Sequence, residues 1–244
     1  RMSRGLGDVY KRQRYMSITN KEWGNGSSNG PMSVQTAKAC FKALTTPEAV
    51  TIYGVAAITT PASIPGKPAI SIDMQQTDDT FWKVFDFAFV DGKPYDRATF
   101  ESGRPVAVVT ESVARNLFGT TKAAGHEFLL NHAPYTVVGV VKNVSTLADA
   151  AYAQVWIPYT STDLAQDTWC DNHMGMMSVT ILAHSRDDFD AIREECKKVL
   201  LQYNSLLAED GYELISRNRP YDQEKQAITY ACLLYTSDAA DDTP

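Results

Sequence analysis

The sequence predicts an α+β fold with mixed sheets, in two subdomains. Three observations carry this. Short β-rich runs alternate with short helical stripes, without the even spacing of repeated βαβ units. One long amphipathic helix stands alone near the C-terminal end. Glycine, proline and Asx signals break the chain into many small elements. The 244 residues are 44% apolar and 21% charged, a globular balance that excludes a disordered chain and a low-complexity fibre. A net charge of −6 argues against a nucleic-acid-binding surface. The four cysteines form no CxxC pair, so neither a zinc finger nor a disulfide scaffold is indicated.

The two ends are read separately from the rest. Residues 232–237, reverse-translated as TGT CTC TTA TAC ACA TCT, have a reverse complement that encodes Asp8 to Gln13 when shifted by one base and closed with G. Two unrelated protein termini are not expected to be the two strands of one DNA element. Residues 1–13 and 232–244 therefore resemble translated ends of a transposon-based sequencing adapter, and residues 14–231 are taken as the fragment proper. The ends carry equal and opposite net charge, so the interior keeps −6.

In chain order, residues 14–18 read as a short strand and 20–31 as a Gly/Asn/Ser loop. Ser33 caps a helix over 33–44, with Val34, Ala37, Phe41 and Leu44 at helical spacing. Residues 49–58 are β-rich, and Pro61, Pro65, Gly66 and Pro68 mark turns. Residues 69–74 alternate as a half-buried strand. Asp78 and Asp79 open a short helix, and the run 87–90 ends at an Asp91-Gly92 turn signal. A short helix is expected over 97–101 and a buried strand over 105–110. A helix over 111–118 is stopped by Gly119. Strands at 125–130 and 135–141 flank an Asn131-His132-Ala133-Pro134 turn, and 155–158 is a further strand. After a polar loop over 163–174 comes a strand at 176–183. Phe189, Ile192, Cys196, Val199, Tyr203 and Leu206 then form the long helical stripe, capped by Ser185 and ended by Gly211. Residues 212–215 read as a last strand and 220–231 as the start of another helix.

Little in this pattern points to bond chemistry. There is no GxSxG elbow. His126 and His132 flank a hairpin, and His184 stands at a strand end. The carboxylate pairs Asp78-Asp79 and Asp187-Asp188 sit at helix starts, where the macrodipole explains them. One cluster has another reading. Cys170, His173, Met174 and Met176, with Met177 behind them, combine soft sulfur donors and an imidazole, a set that suits copper. Core filling by methionine is the preferred reading and no metal is assigned; copper is the alternative. Cys40 and Cys196 lie on apolar helix faces, where buried thiols are the default. A cystine remains the other option in an oxidising compartment.

From Asp79 onward four blocks resemble one known family. The first is Asp79, Thr80, Phe81, Trp82, Lys83, Val84 and Phe85, followed by Asp91-Gly92-Lys93-Pro94-Tyr95. The second runs over residues 106–119 (VAVVTESVARNLFG), with Gly125 after it. The third is residues 135–141 (YTVVGVV) and the fourth residues 155–159 (VWIPY). Their order is similar to that of MacB-like periplasmic core domains, the extracytoplasmic domains of FtsX-like and MacB-like ABC transporter permeases. The resemblance implies a porter-like βα subdomain from residues 14–76 and 175–219, with a central insertion over 77–174. It implies that 220–231 begin a stalk toward a second membrane helix, with a first helix before residue 14. It further implies a bacterial inner-membrane protein with this domain in the periplasm, and no catalysis or cofactor here. The implied partners are a second permease protomer, a cytoplasmic ABC ATPase and a periplasmic adaptor. A soluble periplasmic or secreted binding module with the same fold is the alternative; an enzyme of another type has the least support.

Overall fold

The computed structural model describes residues 15–18, 31–146, 151–207 and 219–220. Two compact units divide them. A central unit spans Ala56–Asp163, and a second unit is built from both flanks, Arg12–Val55 and Leu164–Pro244.

The flank unit holds a four-stranded antiparallel sheet. Its strands are β1 (Tyr15–Ile18), β2 (Ala49–Gly54), β10 (Met177–Leu182) and β11 (Arg219–Pro220). β10 lies between β1 and β2, with Ser17 opposite Thr180 and Ile52 opposite Val179. β11 pairs outside β1. Helix α1 (Val34–Ala37) starts at Ser33, whose Oγ accepts from the Thr36 N–H, and continues as a π-turn over Lys38–Lys42. The wider turn replaces the plain α-helix expected over 33–44. Cys40 and Phe41 within it are both fully buried. The long helix α5 (Phe189–Leu207) packs against this turn. It buries Phe189, Ile192, Cys196, Leu200 and Tyr203, so Leu200 takes the place expected for Val199. Ser185 closes a preceding 3-10 turn through its carbonyl and makes no side-chain cap.

The central unit is a closed barrel of six strands. In order around it run β4 (Ile70–Thr77), β3 (Ile58–Ser63), β7 (Glu127–Leu130), β8 (Ala133–Val141), β6 (Val106–Thr110) and β9 (Val155–Pro158). Parallel pairing of β9 with β4 closes the ring, with Trp156 opposite Gln75. Alternate residues of each strand point inward: Ile72 and Met74, Phe128 and Leu130, Ala107 and Val109, Val155 and Ile157. A register shift between Ala107 and Val108 changes the parity of β8, so Tyr135, Val137 and then Val140 face the interior. Helix α4 (Glu111–Phe118) adds Val113, Ala114 and Leu117 to the same core.

The other face of β6 and β9 carries an aromatic layer. Helix α2 (Phe81–Val84), strand β5 (Phe89–Gly92) and helix α3 (Arg97–Glu101) bring it in. The Trp82 ring meets Phe81, Phe87, Phe89, Tyr95 and Trp156, all with centroids 5.0–5.9 Å away. Close backbone approach is built into this layer. A Cβ on Gly92 would lie 2.1 Å from the Val138 carbonyl, and one on Gly139, its β-partner, 2.6 Å from the Lys93 carbonyl. Glycine at both positions lets β5 lie against β8.

Other expectations change. The division falls at residues 55/56 and 163/164, because β3 and β4 close the barrel and so group with the central residues; the resemblance had implied 76/77 and 174/175. Residues 49–58 are two strands, and Pro61 lies inside β3. Its carbonyl accepts from Asn131 N–H at 2.8 Å, and β7 pairs only with the next two residues, so the missing N–H leaves no ladder bond broken. The β7–β8 turn is Asn131-His132 alone, both with positive φ (48° and 67°), as a two-residue hairpin requires. Pro220 pairs in β11, whereas a helix start was expected there. Residues 20–30 of the expected loop over 20–31 and the expected strand at 212–215 lie outside the described residues, as do residues 221–231. No helix among the described residues is long and apolar enough to cross a membrane.

Candidate functional site

In the flank unit the segment before β10 folds into a strained hairpin. Trp169 and Met174 face each other and exchange two N–H···O bonds, at 3.0 and 3.1 Å. Between them Cys170, Asp171 and Asn172 all take left-handed backbone (φ 57°, 51°, 67°). Each such non-glycine residue costs on the order of 1 kcal/mol. Side chains from α1 hold the turn. Ser33 Oγ donates to the Asn172 carbonyl and Thr36 Oγ1 to the His173 carbonyl, both at 2.7 Å. Tyr203 of α5 joins them, its hydroxyl 3.2 Å from Thr36 Oγ1 and 3.0 Å from His173 Nδ1. A further clamp ties α5 to the loop before β2. Glu195 accepts from the Thr45 and Thr46 N–H groups and from Thr45 Oγ1, at 2.6–2.9 Å. Burial alone would raise its carboxyl pKa, but these bonds outweigh it and hold the group below the usual glutamate value.

The four soft donors singled out in the sequence sit differently in this hairpin. Cys170 and His173 are buried and Met174 is fully buried, whereas Met176 is 37% exposed and offers its carbonyl to Val55 N–H. The His173 ring is turned edge-on to Tyr203. Among the described residues, no three His, Cys, Asp or Glu side chains form a group able to hold an ion. Met32, unmarked in the sequence, pairs with both Met174 and Met177. Nothing local could flag it, because the pairing bridges about 140 residues of chain.

In the central unit the polar groups gather where β4 meets α2. Asp78 Oδ1 accepts from Phe81 N–H at 3.0 Å, the capping role expected of it. Thr77 Oγ1 donates to the Asp78 carbonyl and bonds the Tyr95 hydroxyl. Burial, then the Asp78 charge, pushes the Tyr95 phenol far above its ordinary value. Burial with Asp78 and Asp79 does the same for Tyr159. Tyr152 is pushed up to about 12, chiefly by its 2.6 Å bond to Asp73. An activated phenol needs the opposite shift, so the tyrosines are neutral, with Tyr95 bonded to Thr77 and Tyr152 donating to Asp73. His126 rests its Nδ1 3.0 Å from the Ala123 carbonyl, against Phe118. His132 occupies the hairpin turn and His184 the surface. The arrangement serves to lock strand ends, helices and loops into fixed registers.

Comparison with known proteins matches residues 4–199 to the model of the MacB-like periplasmic core domain. The matched span begins inside the stretch read as adapter-derived. The chain is similar to the uncharacterized ABC transporter permease YknZ of Bacillus subtilis (strain 168), 20% identical over 139 residues, covering 57% of this chain and 33% of that protein. It is similar to the macrolide export ATP-binding/permease protein MacB of Burkholderia cenocepacia (strain HI2424), 23% identical over 155 residues, covering 62% of this chain and 22% of the other. The chain thus spans a third or less of these relatives' length. In three dimensions it resembles the periplasmic region of MacB from Actinobacillus actinomycetemcomitans, with a TM-score of 0.61 at 18% identity, over 92% of this chain and 95% of that one. At that identity the likeness is one of fold.

Proposed function

The chain belongs to the MacB-like periplasmic core domain family, and on that premise we propose that it is the extracytoplasmic part of an ABC transporter permease that relays force and does no bond chemistry. The match of most of the chain to this family's model carries the reading. The ATPase acts in the cytoplasm, on a separate subunit or domain. Its closure passes through membrane helices that flank this domain, and two permease protomers move their periplasmic domains together or apart. A periplasmic adaptor is a further partner of this reading. The internal construction supports a rigid transmitter: a barrel closed on all sides, a flank unit tied by Glu195 and Tyr203, and phenols held neutral.

The test is the full gene. Apolar segments of about 20 residues on both sides of residues 14–231 are expected. Polar sequence on both sides overturns the reading. With the whole permease and its ATPase reconstituted in vesicles, a variant that loosens the barrel, Trp156→Ala, should abolish transport while leaving ATP binding intact.

A further inference from the structure

The tip of the 169–174 hairpin is a left-handed helical turn. Cys170, Asp171 and Asn172 have φ of 57°, 51° and 67°, and the His173 N–H closes on the Cys170 carbonyl at 3.0 Å. Residues with a Cβ visit this region singly, not in runs. Two helices supply bonds that hold it. From α1, Ser33 Oγ donates to the Asn172 carbonyl and Thr36 Oγ1 to the His173 carbonyl, both at 2.7 Å, and Gln35 Oε1 accepts from the Asn172 amide. The Ser33 N–H adds a 3.3 Å bond to the His173 carbonyl. From α5, the Tyr203 hydroxyl lies 3.0 Å from His173 Nδ1 and 3.2 Å from Thr36 Oγ1, so it ties helix to turn and helix to helix. The parts on either side of the tip have anchors of their own. α1 and its π-turn are seated by Ala37, Cys40 and Phe41, all fully buried. Below the tip, Trp169 and Met174 exchange two backbone bonds. A Cβ on Gly175 would fall 2.8 Å from Ser33 Cα, so the chain leaving the hairpin lies directly on the start of α1. Within the tip, Asp171 and Asn172 are exposed, and only Cys170 and His173 are buried.

We infer that residues 170–173 are a strap that stays closed only while α1 and α5 keep their spacing, and that opens and uncovers Cys170 when they part. Closed, it sets three disfavoured backbone conformations against side-chain bonds from both helices. Strain of that kind persists where the surroundings over-determine it, and here the surroundings are the two helices. Once either helix withdraws its bonds, the three residues relax to right-handed or extended backbone. The Trp169–Met174 pair and the sheet do not take part, because the tip is joined to them only through its ends. Segments that bury little and bond near the surface open before the core does. α1 lies before β2 and α5 after β10, so the strap reads the spacing of the two chain flanks from which this unit is built.

The test follows alkylation of each thiol of the intact chain at neutral pH by mass spectrometry. Cys40 and Cys196 are fully buried in the π-turn and in α5, so they report opening of the unit itself. Cys170 needs only the strap to open. It should react at least about tenfold faster and change little with added urea, whereas the other two accelerate steeply. Thr36→Val and Tyr203→Phe should each raise the Cys170 rate about tenfold. The double variant should fall short of the product of the two effects, because these residues share a bond. Asp171→Gly removes a Cβ from an exposed left-handed position and should slow Cys170 about threefold. Ile192→Val, several turns before Tyr203 on α5, should speed Cys40 and Cys196 and leave Cys170 as it was. Equal rates or a common urea dependence for the three thiols in the parent overturn the inference. So does a Cys170 rate that ignores both clamp variants, rises in Asp171→Gly or follows Ile192→Val. If the clamp variants do not fold, the parent rates and Asp171→Gly decide.

Discussion

The two units reach their cores by opposite routes. The central barrel draws every strand and helix from one continuous stretch, Ala56–Asp163, although it closes through pairings between strands far apart within that stretch. The flank unit must bring residues near 32–54 against residues near 169–203 before any of its core exists. Closing so long a loop costs entropy before the contacts return it. Local signals therefore describe the barrel's separate elements, whereas the flank unit draws its core from the two ends of the described chain. The four family-like blocks all fall inside the barrel unit, which is where short-range patterns have something to report.

Cutting the chain gives the largest expected contrast. Residues 56–163 expressed alone should fold cooperatively, read by dispersed amide signals and a single unfolding transition. The C-terminal flank alone, lacking α1 and β2, should not. A flank piece that folds unaided would remove the distinction. Next comes Gly139→Ala, which drives a methyl into the Lys93 carbonyl and should cost about 3 kcal/mol or more in denaturant unfolding. The loss should fall on the barrel's transition while the flank unit's protected amides stay protected. Tyr203→Phe removes one hydroxyl shared by Thr36 and His173, and should cost about 1–2 kcal/mol. Its signature is faster amide exchange in α1 and the 170–174 turn, with the barrel unchanged.

The smallest effect is a pH dependence. Glu195 is held below its ordinary pKa, so its contribution is present above the unfolded-state value near 4.5 and is lost as pH falls through the lower folded value. Glu195→Gln should flatten stability below about pH 5 and cost no more than about 1 kcal/mol at neutral pH, because the carboxylate is partly open to water. Equal acid sensitivity in the parent and this variant would assign the effect elsewhere.

Local chemistry was legible residue by residue. The helix over 111–118 and its glycine stop, the helix over 97–101 and the strand over 155–158 stand where spacing and caps placed them. These elements depend on hydrogen bonds and side-chain periods only a few residues long. Ring closure was not legible. Nothing in residues 58–77 says that they pair with 129–130 and 155–158 in place of joining the flanks, and Pro61 reads as a turn until β7 is known to end beside it. The site followed the same rule. The sequence grouped Cys170, His173, Met174 and Met176 because they are neighbours in the chain. The fold turned His173 toward Tyr203 and left Met176 at the surface, and it set Met32 between Met174 and Met177. The sequence by itself determined the class, the small elements and the family. Only the tertiary structure decided which distant strands close a barrel and which residues pair with Met32, because both follow from pairings between segments that no local period can encode.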